Sequence, residues 1–153
     1  MTGHSHPALD DSRMRRLLGY SLTLATVPAF RVFESHIGAP LQLKRIEYTI
    51  LVLVDSNDAT TQKLLARALR LSLPYLTVTL DRLRERGLLT RVPNEADRRS
   101  QFIRLTRSGK ALLKKADAIA QDMEADLLSA LTQAERGMLF ELLHRFAPHH
   151  RRA

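Results

Sequence analysis

Between Leu73 and Arg86 the sequence spaces its leucines so that one side of a helix is apolar while the other carries groups able to read a base-pair edge. Leu73, Leu76, Leu80 and Leu83 stack on one side by the 3.6-residue period. Pro74, Tyr75, Val78 and Arg82 are left opposite, with Thr77 and Thr79 on the flanks. In a major groove Tyr75 and the threonines are expected to hydrogen-bond bases or phosphates. Val78 suits a thymine methyl, and Arg82 suits phosphate or guanine. Thr61, Lys63 and Arg91 are expected as phosphate contacts around that helix.

The charge distribution points the same way. The 153-residue chain has a formal net charge of +8. From Thr61 to Lys110 there are twelve basic residues (Lys63, Arg67, Arg70, Arg82, Arg84, Arg86, Arg91, Arg98, Arg99, Arg104, Arg107, Lys110) and four acidic ones (Asp81, Glu85, Glu95, Asp97), so this stretch carries all of it. A field confined to one segment favours a polyanion, because each cation placed on a phosphate releases condensed counterions. Double-stranded DNA is the expected partner. With 44% hydrophobic residues the chain can bury a core. The absence of cysteine excludes disulfides, thiolate metal sites and cysteine redox switches. No segment has the length or apolarity of a signal peptide or membrane span, so a soluble, cytoplasmic protein without membrane contact is expected.

The elements that must position these groups follow from periodicity and punctuation. A loose tail covers 1–11. An amphipathic helix from Arg13 to His36 carries Leu17, Leu18, Leu22, Ala25, Val27, Phe30 and Phe33, with a kink expected at Pro28. A buried helix spans Lys44 to Asp55. Thr60 or Thr61 caps a helix running to Leu69, with Leu64, Leu65 and Ala68 inward. Ser72 and Pro74 start the reading helix and Gly87 ends it. Leu88 to Val92 and Gln101 to Thr106 read as strands of a hairpin with a long charged tip. Such a tip beside a reading helix is a wing, whose arginine can enter a narrow minor groove. Two helices close the chain, Ser108 to Leu131 and, after Thr132, Gln133 to Phe146. Helices of this length cannot bury all their apolar stripes on a small domain, so they are expected to pack on a second copy together with the first helix.

These residues resemble the MarR-type winged helix-turn-helix transcriptional regulators. The most specific match is Asp97-x-Arg99, then Leu105-Thr106 and Gly109. Thr61 to Ala66 resembles the first helix of the reading motif, and Leu80-Asp81-Arg82-Leu83 through Gly87 to Arg91 resembles the end of the second and the first wing strand. The resemblance implies a mainly α fold with a small β-hairpin wing. It divides the chain into a dimerisation helix and linker over 12–43, a winged helix-turn-helix domain over 44–107, dimerisation helices over 108–147 and a basic tail over 148–153. It further implies a homodimeric repressor on a near-palindromic operator, released by a small phenolic or aromatic acid ligand through a shared conformational equilibrium. Carried over, the recognition residues are Ser72, Pro74, Tyr75, Thr77, Val78, Thr79 and Arg82. The wing residues are Asp97, orienting a neighbouring arginine, and Arg99 or Arg98 in the groove. The branch of the family that senses peroxide through cysteine is closed to this chain. At Leu71-Ser72-Leu73-Pro74-Tyr75 it departs from the smaller polar residues of relatives, so its preferred bases cannot be copied from them.

Other constellations offer rival chemistry. Phe30, Phe33 and Tyr48, with His36 at the end of the first helix, either line a ligand pocket or serve as core and dimer contacts. His36 could equally sense protons. His4, His6, His149 and His150 form two pairs on the tails with no third and fourth metal ligand at recognisable spacing, so a metal-responsive regulator is the weaker alternative and no metal is expected. A winged helix used for protein contacts is another alternative. Glu34-Ser35-His36 supplies raw catalytic groups, but there is no nucleophile elbow, glycine-rich phosphate loop or helical metal pair, so neither enzyme activity nor a cofactor is expected.

Overall fold

The computed structural model describes residues 9–94 and 100–146. Among the described residues the first element is a short 3-10 turn, Met14–Arg16, and the first long helix, α1, is Leu18–Phe33. Helix was expected from Arg13. The difference has a local cause: Asp11 accepts main-chain bonds from Met14 and Arg15, while its carboxylate accepts from Arg15 Nε at 2.7 Å and Tyr20 Oη at 2.9 Å. This network tightens the first turn and leaves Leu17 extended. Pro28 lies inside α1 as expected. Rather than stopping at His36, the chain passes through a π turn, Glu34–Gly38, into α2, Ala39–Leu41, where Pro40 falls near the helix start and needs no amide hydrogen.

The centre of the molecule is α3, Arg45–Asp55. Its Ile50, Leu51 and Val54 are buried with Ile37, Leu43, Leu65, Leu76, Leu80, Leu83 and Ile103 in one core. Helix α4, Gln62–Leu69, is capped by Thr61, whose Oγ1 accepts from Leu64 N at 3.3 Å. It turns Leu65 inward as expected, but with Ala66 rather than Leu64 and Ala68, because the side of α4 that packs on α5 and β2 decides which residues are buried. Arg70, in the left-handed conformation, ends it. Helix α5, Leu73–Glu85, follows the expected bounds closely, although the Ser72 hydroxyl makes no cap bond and Leu73 is exposed. Gly87, at φ +68°, then reverses the chain without a Cβ penalty.

The wing is an antiparallel pair, β1 Leu89–Pro93 and β2 Gln101–Leu105, in which Leu89 faces Leu105 and Arg91 faces Ile103. It is stitched to the segment before α4 by Ile103 N donating to Thr60 O at 2.8 Å and by a bridge between Thr61 and Phe102. The Thr106 hydroxyl donates to Gly87 O at 2.6 Å and accepts from Gly109 N at 3.0 Å, capping α6, Arg107–Asp122. The α6 helix lies so close to Leu88 that a Cβ at Gly109 would collide with the Leu88 carbonyl. Leu105-Thr106-x-x-Gly109 is thus the splice between wing and long helix. Helix was expected to run to Leu131, but α6 ends at Asp122 and residues 123–131 form turns. The core on which Leu113, Ala116, Ile119 and Ala120 rest ends at Met123, and helices draw most of their stability from such packing. Thr132 and Glu135 then cap each other's ends at the start of α7, Gln133–Phe146, which has no buried residue.

Candidate nucleic-acid interface

On α5 the leucines at 76, 80 and 83 are buried and anchor the helix. Opposite them Tyr75 is 50% and Val78 70% exposed. Ser72 and Pro74 are exposed in its first turn. Thr77 is half-buried: its hydroxyl donates to Leu73 O at 2.8 Å and accepts from Gln62 Nε2 at 2.6 Å, tying α5 to α4. Thr79 corrects the sequence reading. At 3% exposure it lies in the core, its hydroxyl donating to Tyr75 O at 2.9 Å, so it does not belong to the outward surface. One helical turn separates Thr79 from Tyr75 and Leu83, and the packing of α5 rotates this flank inward rather than to the rim.

Arg82 is also placed differently from the expectation. Its guanidinium meets Glu47 Oε1 at 2.5 Å, and Arg86 approaches Glu47 Oε2 at 3.5 Å. Glu47 is 1% exposed, and its Oε2 also accepts from Lys44 N at 2.8 Å at the start of α3. A carboxylate removed from water needs charged or hydrogen-bonding partners, and here α5 supplies two arginines. Arg82 thereby serves as a clamp between α3 and α5. Sequence reasoning missed Glu47 because the cap-box spacing Lys44-x-x-Glu47 begins with lysine instead of serine or threonine. Arg91, expected on phosphate, pairs with Asp81 Oδ1 at 3.2 Å and joins β1 to α5, while Arg84 lies 3.4 Å from the same oxygen.

Around this frame the basic surface is open. A groove of about 830 Å³ runs between α4, the start of α5 and the wing, lined by Thr61, Gln62, Lys63, Leu64, Arg67, Leu73, Arg91, Ser100, Gln101 and Ile103. Lys63 and Arg67 are exposed on it and form no ion pair with the described residues. Thr61 reaches the groove although its hydroxyl is engaged as a helix cap. The wing-tip residues Asp97, Arg98 and Arg99 lie outside the described residues. The arrangement presents cations and one outward helix face together, as a surface that docks on phosphates around a groove must.

Residues 41–100 match the sequence profile of the MarR family. The structure of the transcriptional repressor CouR bound to a 23-mer DNA duplex superposes with a TM-score of 0.84 at 33% identity, covering 92% of this chain and 99% of that one. The chain belongs to the MarR family. A mutant MarR from E. coli complexed with operator DNA is similar at a TM-score of 0.79 and 26% identity, over 92% of this chain and 99% of that one. A Thauera aromatica protein, named as a transcriptional regulatory protein for the hcr operon, is 28% identical over 84% of this chain and 77% of its own length. This protein is therefore a winged-helix, DNA-binding transcriptional regulator of the MarR family.

In this MarR-family chain the aromatic residues singled out for a pocket do meet one another in part. Phe33 is buried and its ring centroid lies 5.8 Å from that of Tyr48. Tyr48 Oη donates to Asp117 Oδ1 at 2.8 Å, bridging α3 and α6, and burial together with this bond pushes the phenol up to about 12. Phe30 is exposed and carries the Arg45 guanidinium over its face, 3.1 Å from the centroid. His36 is exposed on the π turn, its Nδ1 2.9 Å from Val32 O and 3.0 Å from Ser35 Oγ. Among the described residues no group of three or more histidines, cysteines, aspartates or glutamates could hold a metal, and no helix is long and apolar enough to cross a membrane. The tail histidines lie outside the described residues.

Proposed function

We propose that this protein is a homodimeric repressor that binds a near-palindromic duplex through α5 and the wing and is released by an aromatic acid or its coenzyme A thioester. The observation that carries the reading is the coincidence of one exposed helix face, Tyr75 and Val78, with the segment that holds all the net charge. The relative CouR is known bound both to DNA and to p-coumaroyl-CoA, the latter at a TM-score of 0.81 and 29% identity over 93% of this chain and 99% of that one. The second copy follows from apolar side chains left in water on α1 and α7: Leu18, Val27 and Phe30, then Met138, Leu142 and Phe146. Residues 12–43 and 108–147 thus supply the dimer, and 44–107 the reading domain. Ser72, Pro74, Tyr75, Thr77 and Val78 form the major-groove face, Thr61, Lys63 and Arg67 hold phosphates, and Arg99 or Arg98 enters the minor groove beside Asp97.

The ligand site is assigned to the junction of the two parts, at Phe30, Phe33, His36 and Tyr48, where the Phe33 and Tyr48 rings meet and Arg45, stacked on Phe30, offers a cation to a carboxylate or phosphate. Ligand and DNA then compete through one conformational equilibrium. Footprinting of the DNA upstream of the protein's own gene tests the proposal. It should show two protected half-sites about ten base pairs apart on one face of the duplex, lost on adding an aromatic acid or acyl-coenzyme A. Protection of a single half-site would contradict the dimer, and protection unaffected by any such compound would contradict the effector. In the same assay Arg99→Ala should weaken binding at A·T-rich flanks, and normal binding would move the contact to Arg98 or away from the wing.

A further inference from the structure

We propose that α5 reads its duplex mainly through the methyl groups of thymines, with Val78 as the principal contact and Tyr75 beside it. The inference rests on the DNA-binding reading above and concerns how bases are chosen. Its basis is where the polar groups of α5 are already engaged. Both hydroxyls of Thr77 and Thr79 donate to carbonyls of their own helix, and Thr79 is buried. Arg82 and Arg86 are held on Glu47, and Arg84 lies against Asp81. Pro74 has no amide hydrogen to offer.

What remains outward at mid-helix is apolar. Val78 is 70% exposed at the centre of the helix, and Tyr75, three residues earlier, shares its side. Leu73, exposed in the first turn on another side of the helix, lines the basic groove instead. In a major groove the donor and acceptor pattern distinguishes all four base pairs, but an isopropyl group can use none of it. Its one complementary partner there is the C5 methyl of thymine. The surrounding cations, Lys63 and Arg67, fix affinity and register through phosphate without choosing a sequence. The choice therefore falls to apolar contact, with the Tyr75 phenol and the Ser72 hydroxyl left to bridge phosphates or edges.

Deoxyuridine is thymidine without that methyl, so the test removes only the proposed contact. The preferred duplex is first selected from a random pool with the full-length protein, and each thymine is then replaced singly by uracil. Burying one methyl corresponds to about fourfold in affinity, so at one or two positions in each half-site uracil should weaken binding by about that factor. Val78→Ala, at an exposed position that does not endanger folding, should remove most of the thymine preference there while leaving the salt dependence unchanged. A selected duplex whose thymines can all be replaced without loss would overturn the inference and leave sequence-specific DNA binding intact. Retention of the full thymine preference by Val78→Ala would overturn the assignment to Val78. If no preferred duplex emerges, sequence-specific reading itself fails, and this inference with it.

Discussion

Glu47 is the residue on which the orientation of the reading helix turns. Removing Arg82 leaves a carboxylate at 1% exposure with the longer contact to Arg86 and the bond from Lys44 N, so Arg82→Ala should cost about 2 kcal/mol in urea denaturation, less than a fully buried pair because Arg82 itself is 41% exposed. Arg67→Ala should leave stability within about 0.5 kcal/mol and weaken DNA binding instead. Equal stability losses in the two variants would refute the clamp. Tyr48 gives a second prediction. Folding raises its phenol from 10.0 to about 12, so its contribution is complete below pH 10 and is lost as pH climbs from there through 12. Tyr48→Phe should be less stable by about 1 kcal/mol at neutral pH, and its deficit should shrink across that alkaline window. Individual roles such as these were only partly legible in the sequence. Tyr75 and Val78 followed from the leucine period, since exposure is fixed once a helix's buried side is known. Thr79, Arg82 and Arg91 did not, because their partners lie on the same helix face, on α3 and across the chain reversal at Gly87, and a one-dimensional pattern carries no information about ion pairs between elements.

At the scale of elements, local chemistry and tertiary packing can be separated. Helix α4, α5 and both wing strands fell within a residue or two of their expected ends because caps and breakers mark them: Thr61, Pro74 and Gly87. Two of the misjudged regions lack such punctuation. The start of α1 is set by the carboxylate of Asp11, and α6 stops where its supporting core stops, with neither glycine nor proline to announce it. The junction at Gly109 tests how tightly wing and α6 are joined. Gly109→Ala places a methyl against the Leu88 carbonyl, a backbone atom that cannot swing aside, and should destabilise the fold by about 1–3 kcal/mol. Thr106→Ala, which loses the cap and the bond to Gly87 O, should cost about 1 kcal/mol and loosen the wing, seen as faster amide exchange in β1 and β2. An unchanged melting transition for Gly109→Ala would show that the junction is slack.

For the whole molecule, the exposed apolar side chains of α1 and α7 and the confined positive field call for two kinds of partner. Leu142→Lys should shift sedimentation toward a single chain and, by separating the two reading heads, lower duplex affinity more than tenfold. More narrowly, this chain is expected to bind a particular duplex through α4, α5 and the wing by combining phosphate contacts with base reading. The most direct test is the affinity for its selected duplex and for a random duplex of equal length, each followed from low to high salt. The account predicts that log K falls linearly with log salt for both, with a slope of roughly −4 or steeper, and that the selected duplex binds at least about a hundredfold tighter at every salt concentration. Equal affinity for the two duplexes, or a binding constant indifferent to salt, would contradict it.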